Sequence, residues 1–357
     1  MDTRTAGAPF GAGQVDLATS AVGSQRLLRI VFVLWAAAFL IKHAGASWDI
    51  AWHFRYPFGT FEPPHIVNIF GSALAAGLIV FHVLTGKAAD RLGVYVIQGG
   101  FVLFLLSALL DVLNHYLFGL DITVWSPSHV LTFVATTIVL GAVIFSALRL
   151  LAPGRWRLAL GLVLWAFLLD DALFQLSQQE YGVIAIADYL RGQSTASPDL
   201  LALAGRNPIA FAEGGIPHWV YPLWLIIPST LILVFAHRVL GWRWSATLVV
   251  LLYLVYRVGG YALLSVFDFP RSFIPVMLLG AGFLIDLSEQ RRWPPFAISA
   301  ALVVMYYASA WLIDQNTLMP RFALSTAPVA LACLWSSFAG ARWLAHWRQR
   351  RVALPAV

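Results

Sequence analysis

Apolar residues run through this chain in stretches of about 20, the length that spans the hydrocarbon core of a bilayer, and short polar segments separate them. The pattern predicts ten helical spans, over 27–46, 64–86, 92–117, 127–149, 156–177, 218–238, 244–266, 273–287, 295–313 and 321–343. The expected fold class is therefore an all-α polytopic membrane protein. Residues 1–24 are rich in Gly, Ala and Ser without an apolar core and read as a disordered tail rather than a signal peptide. The connection of about 40 residues between spans five and six is long enough for a short interfacial or re-entrant helix.

Composition agrees with the pattern. Of 357 residues, 60% are hydrophobic and only 11% charged, and the mean hydropathy is +0.78. A soluble domain carries roughly 45–50% apolar residues. The 15 tryptophans suit aromatic belts at the two membrane surfaces. Basic residues then give orientation. Arg4, Arg26, Arg29, Lys87, Arg91, Arg149, Arg155, Arg157, Arg238, Arg243, Arg291, Arg292, Arg342, Arg348, Arg350 and Arg351 fall on one side of the expected topology. Lys42, Arg55, Arg191, Arg206, Arg271 and Arg321 fall on the other. The positive-inside rule makes the richer side, with both termini, cytoplasmic. The net charge of +6 is thus explained by topology and by contact with anionic lipid, not by nucleic acid. Cys333 is the single cysteine, which rules out disulfides within the chain and a thiolate metal cluster.

Against this apolar background two polar stretches stand out. "WDIAWHFRYPFGTFEPPH" runs from Trp48 to His65, and "DVLNHYLFGLDITVWSPSH" from Asp111 to His129. Asp49 and His53 are four residues apart, as are Asp111 and His115. Each stretch passes a glycine and an aromatic residue and ends in Pro-x-His, at His65 and at His129. The similarity predicts two tandem helical hairpins in the same orientation. Residues four apart share one face of a helix. Proline favours the first helical turn and so places the second His at the start of the next span. Two imidazoles and a carboxylate form a donor set for copper, zinc, iron or nickel, with Asn114, Asp121 and Glu62 as neighbouring polar groups. A single histidine at the end of a span also sits comfortably at headgroup level; the repeated spacing favours ligation.

At these residues the chain resembles the C subunit of the copper membrane monooxygenases, the family that includes particulate methane and ammonia monooxygenase. The likeness lies in "WDIAWH…FEPPHIV" and "DVLNH…WSPSHV" and covers roughly residues 30–150. Asp111 stands where the family often has Asn. The resemblance implies one copper site at Asp49, His53 and His65 and another at Asp111, His115 and His129. It also implies a monooxygenase that hydroxylates a small apolar substrate with O2, working with further membrane subunits.

Asp170 and Asp171 in span five and Arg257 in span seven are ionisable groups inside apolar runs. Such groups face the bundle interior and are paired. They are expected to form an outer-half cluster with Asp111 and the His pair, as a structural lock or as neighbours that tune the metal or relay protons. His218 and His43 are spare ligands near that end, with an interfacial position as their default. Asp268 and Arg271 read as a local ion pair around a turn, His82, His237 and His346 are assigned no role, and Gly259 and Gly260 read as helix-packing residues.

The organisation expected is a tail over 1–24, metal-site hairpins over 25–150, a membrane bundle over 151–345 and a basic cytoplasmic tail over 346–357. The leading expectation is a copper-binding membrane protein, with zinc and iron also accommodated by the donors. Its expected partners are membrane lipid and either further subunits or other copies of the chain. Two alternatives stay open. One is metal handling without catalysis, although four methionines are few for a transport path. The other is a polytopic lipid-linked glycosyltransferase using Asp49.

Overall fold

A computed structural model of the chain describes residues 12–55, 62–88, 91–118, 125–176, 219–269, 273–314 and 322–352, with the single positions 198 and 201. Among them the structure is helical, without strands. In order the helices are α1 (Ala12–Arg55), α2 (Pro63–Thr85), α3 (Arg91–Phe118), α4 (Pro127–Leu150), α5 (Arg155–Leu173), α6 (Val220–Leu240), α7 (Ser245–Val266), α8 (Leu278–Arg291), α9 (Pro295–Asp314) and α10 (Ala327–Val352). Eight are long and apolar enough to cross a membrane. The protein is a multi-pass helical membrane protein.

The two helices outside that set are α5 and α8. Helix α8 has 14 residues, which at 1.5 Å per residue gives about 21 Å. It starts at Leu278 rather than 273 because Pro275 disfavours the α conformation of the residue before it. Helix α5 has 19 residues and carries Arg155, Arg157, Asp170 and Asp171, so its composition is not that of a simple apolar span. It is instead the centre of the bundle. Leu160, Leu164, Phe167, Leu169, Asp170, Asp171 and Leu173 are all buried, and α5 packs against α1, α4, α6 and α7. By contrast α3 exposes Leu105, Leu106, Leu109, Leu110 and Leu113, an apolar face that suits lipid.

Helix boundaries follow local chemistry. Helices α2 and α4 open on proline, after the extended residues Glu62 and Ser126. Helix α2 closes on Gly86 and α6 on Gly241, each with positive φ that a residue without Cβ adopts at no steric cost. Helix α1 begins within the stretch expected to be a tail and continues through Asp49 to Arg55, into the expected loop. Helix α10 likewise runs on to Val352, past the expected start of the basic tail.

Helices α1 and α2 approach closely. A Cβ at Gly45 would stand 2.5 Å from the backbone N of Asn68, and one at Gly71 would stand 2.6 Å from that of Lys42. Helices α3 and α4 meet through a hydrogen bond, Thr132 Oγ1 to Ser107 Oγ at 2.9 Å. These contacts share a register. Gly45 and Ser107 each precede the Asp of their hairpin by four, and Asn68 and Thr132 each follow the Pro-x-His histidine by three.

Helix α6 is antiparallel to α5. Its first turn meets the end of α5, where Trp224 Nε1 donates to Ala172 O at 2.7 Å. Its last residue, Leu240, lies against Gly161 near the start of α5. At that second end, Asp286 of α8 is fully buried and accepts from Ala246 N (3.1 Å), Thr247 N (2.8 Å) and Thr247 Oγ1 (2.6 Å) at the start of α7. His237 Nδ1 of α6 lies 2.6 Å from the same carboxylate. An anion at a helix N-terminus satisfies amides that have no partner within the helix. His82 is tied equally firmly: Trp35 Nε1 donates to its Nε2 at 2.9 Å, and its Nδ1 lies 2.8 Å from Lys87 O. Both histidines, read as without a role, join helices together.

Candidate metal centre

The last turns of α3 carry Asp111 and His115, and the first turn of α4 carries His129. Pro127 sets where α4 begins and so where His129 stands. His129 Nε2 lies 3.2 Å from Asp111 Oδ1, and His115 Nδ1 lies 3.7 Å from Asp111 Oδ2. The two imidazoles meet edge to face, with ring centroids 5.8 Å apart. One ligand atom from each of the three residues falls within 4.8 Å of the others. All three side chains are half-buried, so an ion could enter without unfolding the hairpin.

Geometry tests this set as a metal site. Ligands bound at about 2.0–2.1 Å in a tetrahedral arrangement stand about 3.3 Å apart; the two carboxylate–imidazole separations, made to different oxygens of Asp111, are 3.2 and 3.7 Å, and one ligand atom from each residue would close on an ion from within 4.8 Å. A hydrogen bond would also bring one imidazole to the carboxylate. It would not require a second imidazole to converge on the same point. The donors fit a borderline metal: imidazole and carboxylate suit copper, zinc and iron alike. Asn114 stands one residue before His115, half-buried.

The α1–α2 hairpin holds a related pair. His65 Nε2 lies 3.2 Å from Asp49 Oδ2, again a carboxylate at the end of one helix and a histidine in the first turn of the next. His53 stands one turn after Asp49 on α1, but its side chain lies outside the described residues. Two members of the expected Asp49–His53–His65 set are thus seen to meet.

The other intramembrane charges form a separate group. Arg257 Nε of α7 pairs with Asp170 Oδ1 of α5, and Arg257 Nη1 donates to Ser47 Oγ of α1 at 2.9 Å. Asp171 Oδ2 accepts from Thr137 Oγ1 of α4 at 2.6 Å. Its Oδ1 faces His43 Nε2 of α1 at 3.7 Å. Among the described residues no hydrogen bond or ion pair links Asp111 to them, and the charges expected as one outer cluster fall into two sets of contacts: a half-buried one between α3 and α4 and a buried one around α5. Asp170 and Asp171 occupy successive positions, about 100° apart on the helix, and so reach different neighbours.

His43 is the residue whose place sequence reasoning missed. It is 3% exposed, with Nδ1 2.8 Å from Phe39 O and its ring stacked on Phe167 at 5.6 Å. The signal was present in "AAAFLIKHAGAS": a histidine inside an apolar run faces protein rather than lipid. Gly259 and Gly260 also differ from expectation, since a Cβ at either would meet nothing within 4 Å. Among the described residues, neither packs against another helix. His218, Asp121 and Arg271 lie outside the described residues, while Glu62 is the residue that precedes α2.

Compared with models of protein families, with curated proteins and with solved structures, the chain matches none of them.

Proposed function

We propose that this membrane protein binds copper between α3 and α4, through Asp111, His115 and His129, and oxidises a small apolar substrate with O2. The observation that carries the reading is the convergence of one carboxylate and two imidazoles within 4.8 Å. Copper held by such donors with an open position supplies O2 activation. The chain's own residues hold the ion at the end of the hairpin, where lipid-soluble substrate and O2 have access. The Asp49–His65 contact supports a second site completed by His53, and the shared register supports two copies of one hairpin unit. Zinc and iron suit the same donors.

On this reading all ten helices cross the membrane, with both termini cytoplasmic and the metal sites toward the extracytoplasmic side. The resemblance adds partner subunits, or other copies of this chain. Asp170 and Arg257 lock α5 to α7. Asp171 and His43 form the polar step in the interior through which a proton can move. A non-catalytic metal store is the second reading. It is favoured over a transporter by His82 and His237, which are engaged in protein contacts rather than continuing a line of ligands. A glycosyltransferase role for Asp49 would require that carboxylate to leave His65.

The test is metal content. Protein purified in detergent, analysed by metal mass spectrometry and electron paramagnetic resonance, should carry copper that His115→Ala and His129→Ala lose. Absence of bound copper, zinc and iron from the wild-type protein would remove both metal readings.

A further inference from the structure

His43 of α1 and Asp171 of α5 face each other inside the bundle, at 3% and 1% exposure. His43 Nδ1 stands 2.8 Å from Phe39 O. A carbonyl oxygen only accepts, so Nδ1 carries the hydrogen of that bond. In the neutral ring Nε2 is then an acceptor without a hydrogen. It lies 3.7 Å from Asp171 Oδ1, and a carboxylate oxygen is an acceptor too. Neither atom has a hydrogen-bond partner among the described residues.

Two buried acceptors facing each other are costly unless a hydrogen lies between them. A bridging water does not suit the gap, because two acceptors of one water stand about 4.4 Å apart when each bond is about 2.8 Å. A metal ion would find two protein donors here, where catalytic sites have three and structural sites four. A single proton satisfies both atoms: Nε2–H donates to Oδ1, or Oδ1–H donates to Nε2.

Charge points the same way. Asp170 of α5 has its counter-ion in Arg257 of α7, which also bonds Ser47. Asp171 has the Thr137 hydroxyl of α4 at 2.6 Å and, among the described residues, no ion pair with a lysine or arginine. Lys42, beside His43 on α1, is within electrostatic reach of Asp171, but its Nζ lies over the ring of Phe104 in α3, 5.0 Å from the centre. From α7, Tyr253 and Tyr256 lie near Asp170 and Arg257, and Tyr256 meets Phe167, the ring on which His43 stacks. The histidines of α2 and α6, His65, His82 and His237, stand in first or last turns, away from this level. A carboxylate so deeply buried with one hydroxyl for compensation calls for a positive charge or a proton.

We infer that His43 and Asp171 together bind one proton, held between Nε2 and Oδ1, and form a proton store within the bundle. Thr137, which bonds Asp171, follows His129 by eight residues on α4, about 12 Å along the helix, so the store lies below the candidate metal centre. The inference rests on the reading of this pair as a proton step and not on the metal, so metal-free protein tests it.

The full chain, metal-stripped, is placed in lipid nanodiscs and titrated between about pH 5 and pH 9, the range that spans histidine chemistry. Infrared difference spectra read the carboxyl group, and nitrogen NMR of isotope-labelled histidine reads the ring. At the acid end one proton-bearing signal is expected, either an imidazolium at His43 or a protonated carboxyl at Asp171. Each partner should depend on the other. Asp171→Asn supplies a donor to Nε2 and should abolish an imidazolium signal, and His43→Gln supplies a donor to Oδ1 and should abolish a carboxyl signal. If either variant fails to fold, the wild-type titration still decides. A neutral His43 with an ionised Asp171 throughout the range overturns the inference, and so does a signal on one residue that survives replacement of the other.

Discussion

Asp111 Oδ1 lies 3.2 Å from His129 Nε2, across the gap between the last turns of α3 and the first turn of α4. The contact joins the ends of two helices over a connection of eight residues, 119–126. Its counterpart in the preceding hairpin, Asp49 Oδ2 to His65 Nε2, has the same 3.2 Å separation. Each carboxylate is the hinge of its set, since it is the group that a histidine of the following helix reaches.

Removing a ligand should therefore release metal from one hairpin and not the other. His129→Ala is expected to weaken binding at the α3–α4 site by roughly 100-fold or more, beyond the 10–100-fold typical of losing a residue that merely supports a ligand. Titration of stripped protein with copper, followed by electron paramagnetic resonance, reads this directly. Two affinities in the wild type should become one. Acidification should release metal as well, because protons compete for the same imidazole nitrogens.

Close approach of α1 and α2 depends on two missing side chains. Gly45→Leu or Gly71→Leu places atoms against backbone already 2.5–2.6 Å from the Cβ position, so the helices must separate and Asp49 loses His65. Both variants are expected to melt well below wild type and to bind less metal. Gly77→Ala meets nothing within 4 Å and should be neutral or slightly stabilising. A Gly45→Leu protein with wild-type thermal stability would show that the helices do not meet there.

Asp170→Asn leaves Arg257 buried without its counter-charge, at an expected cost of about 3–5 kcal/mol. Replacing both residues with apolar ones of similar size, Asp170→Leu with Arg257→Met, should recover much of that loss. A thermal denaturation cycle over the four proteins measures the coupling; additive losses would mean that the pair is not formed.

At the opposite end, Asp286→Ala strips the acceptor from two backbone amides, one hydroxyl and His237. A hydrogen bond to a charged group is worth about 1.5–3 kcal/mol, so a loss of about 3 kcal/mol or more is expected. Hydrogen exchange should rise first at Ala246 and Thr247, the first residues that the carboxylate holds. Unchanged protection at those amides would contradict the capping role.

Much of this protein was legible in the chain. Unbroken apolar runs dictated helices, because a buried backbone in lipid must satisfy its own hydrogen bonds. Pro63-Pro64 and Pro127 marked where two of them begin. The spacings Asp49–His53 and Asp111–His115, each followed by Pro-x-His, pointed to the hairpin ends where carboxylate and imidazole are found together. What the sequence could not supply was the inward face of each helix. Lipid tails and helix interiors are equally apolar, so hydropathy does not separate a protein-facing leucine from a lipid-facing one. Only packing decided that His43 turns to Asp171, that Asp286 caps a helix 39 residues away in sequence, and that Gly259 and Gly260 border open space. Ser47 and Arg257 are 210 residues apart in the chain and 2.9 Å apart in space. That distance is set by how α1, α5 and α7 cross, which no local pattern encodes.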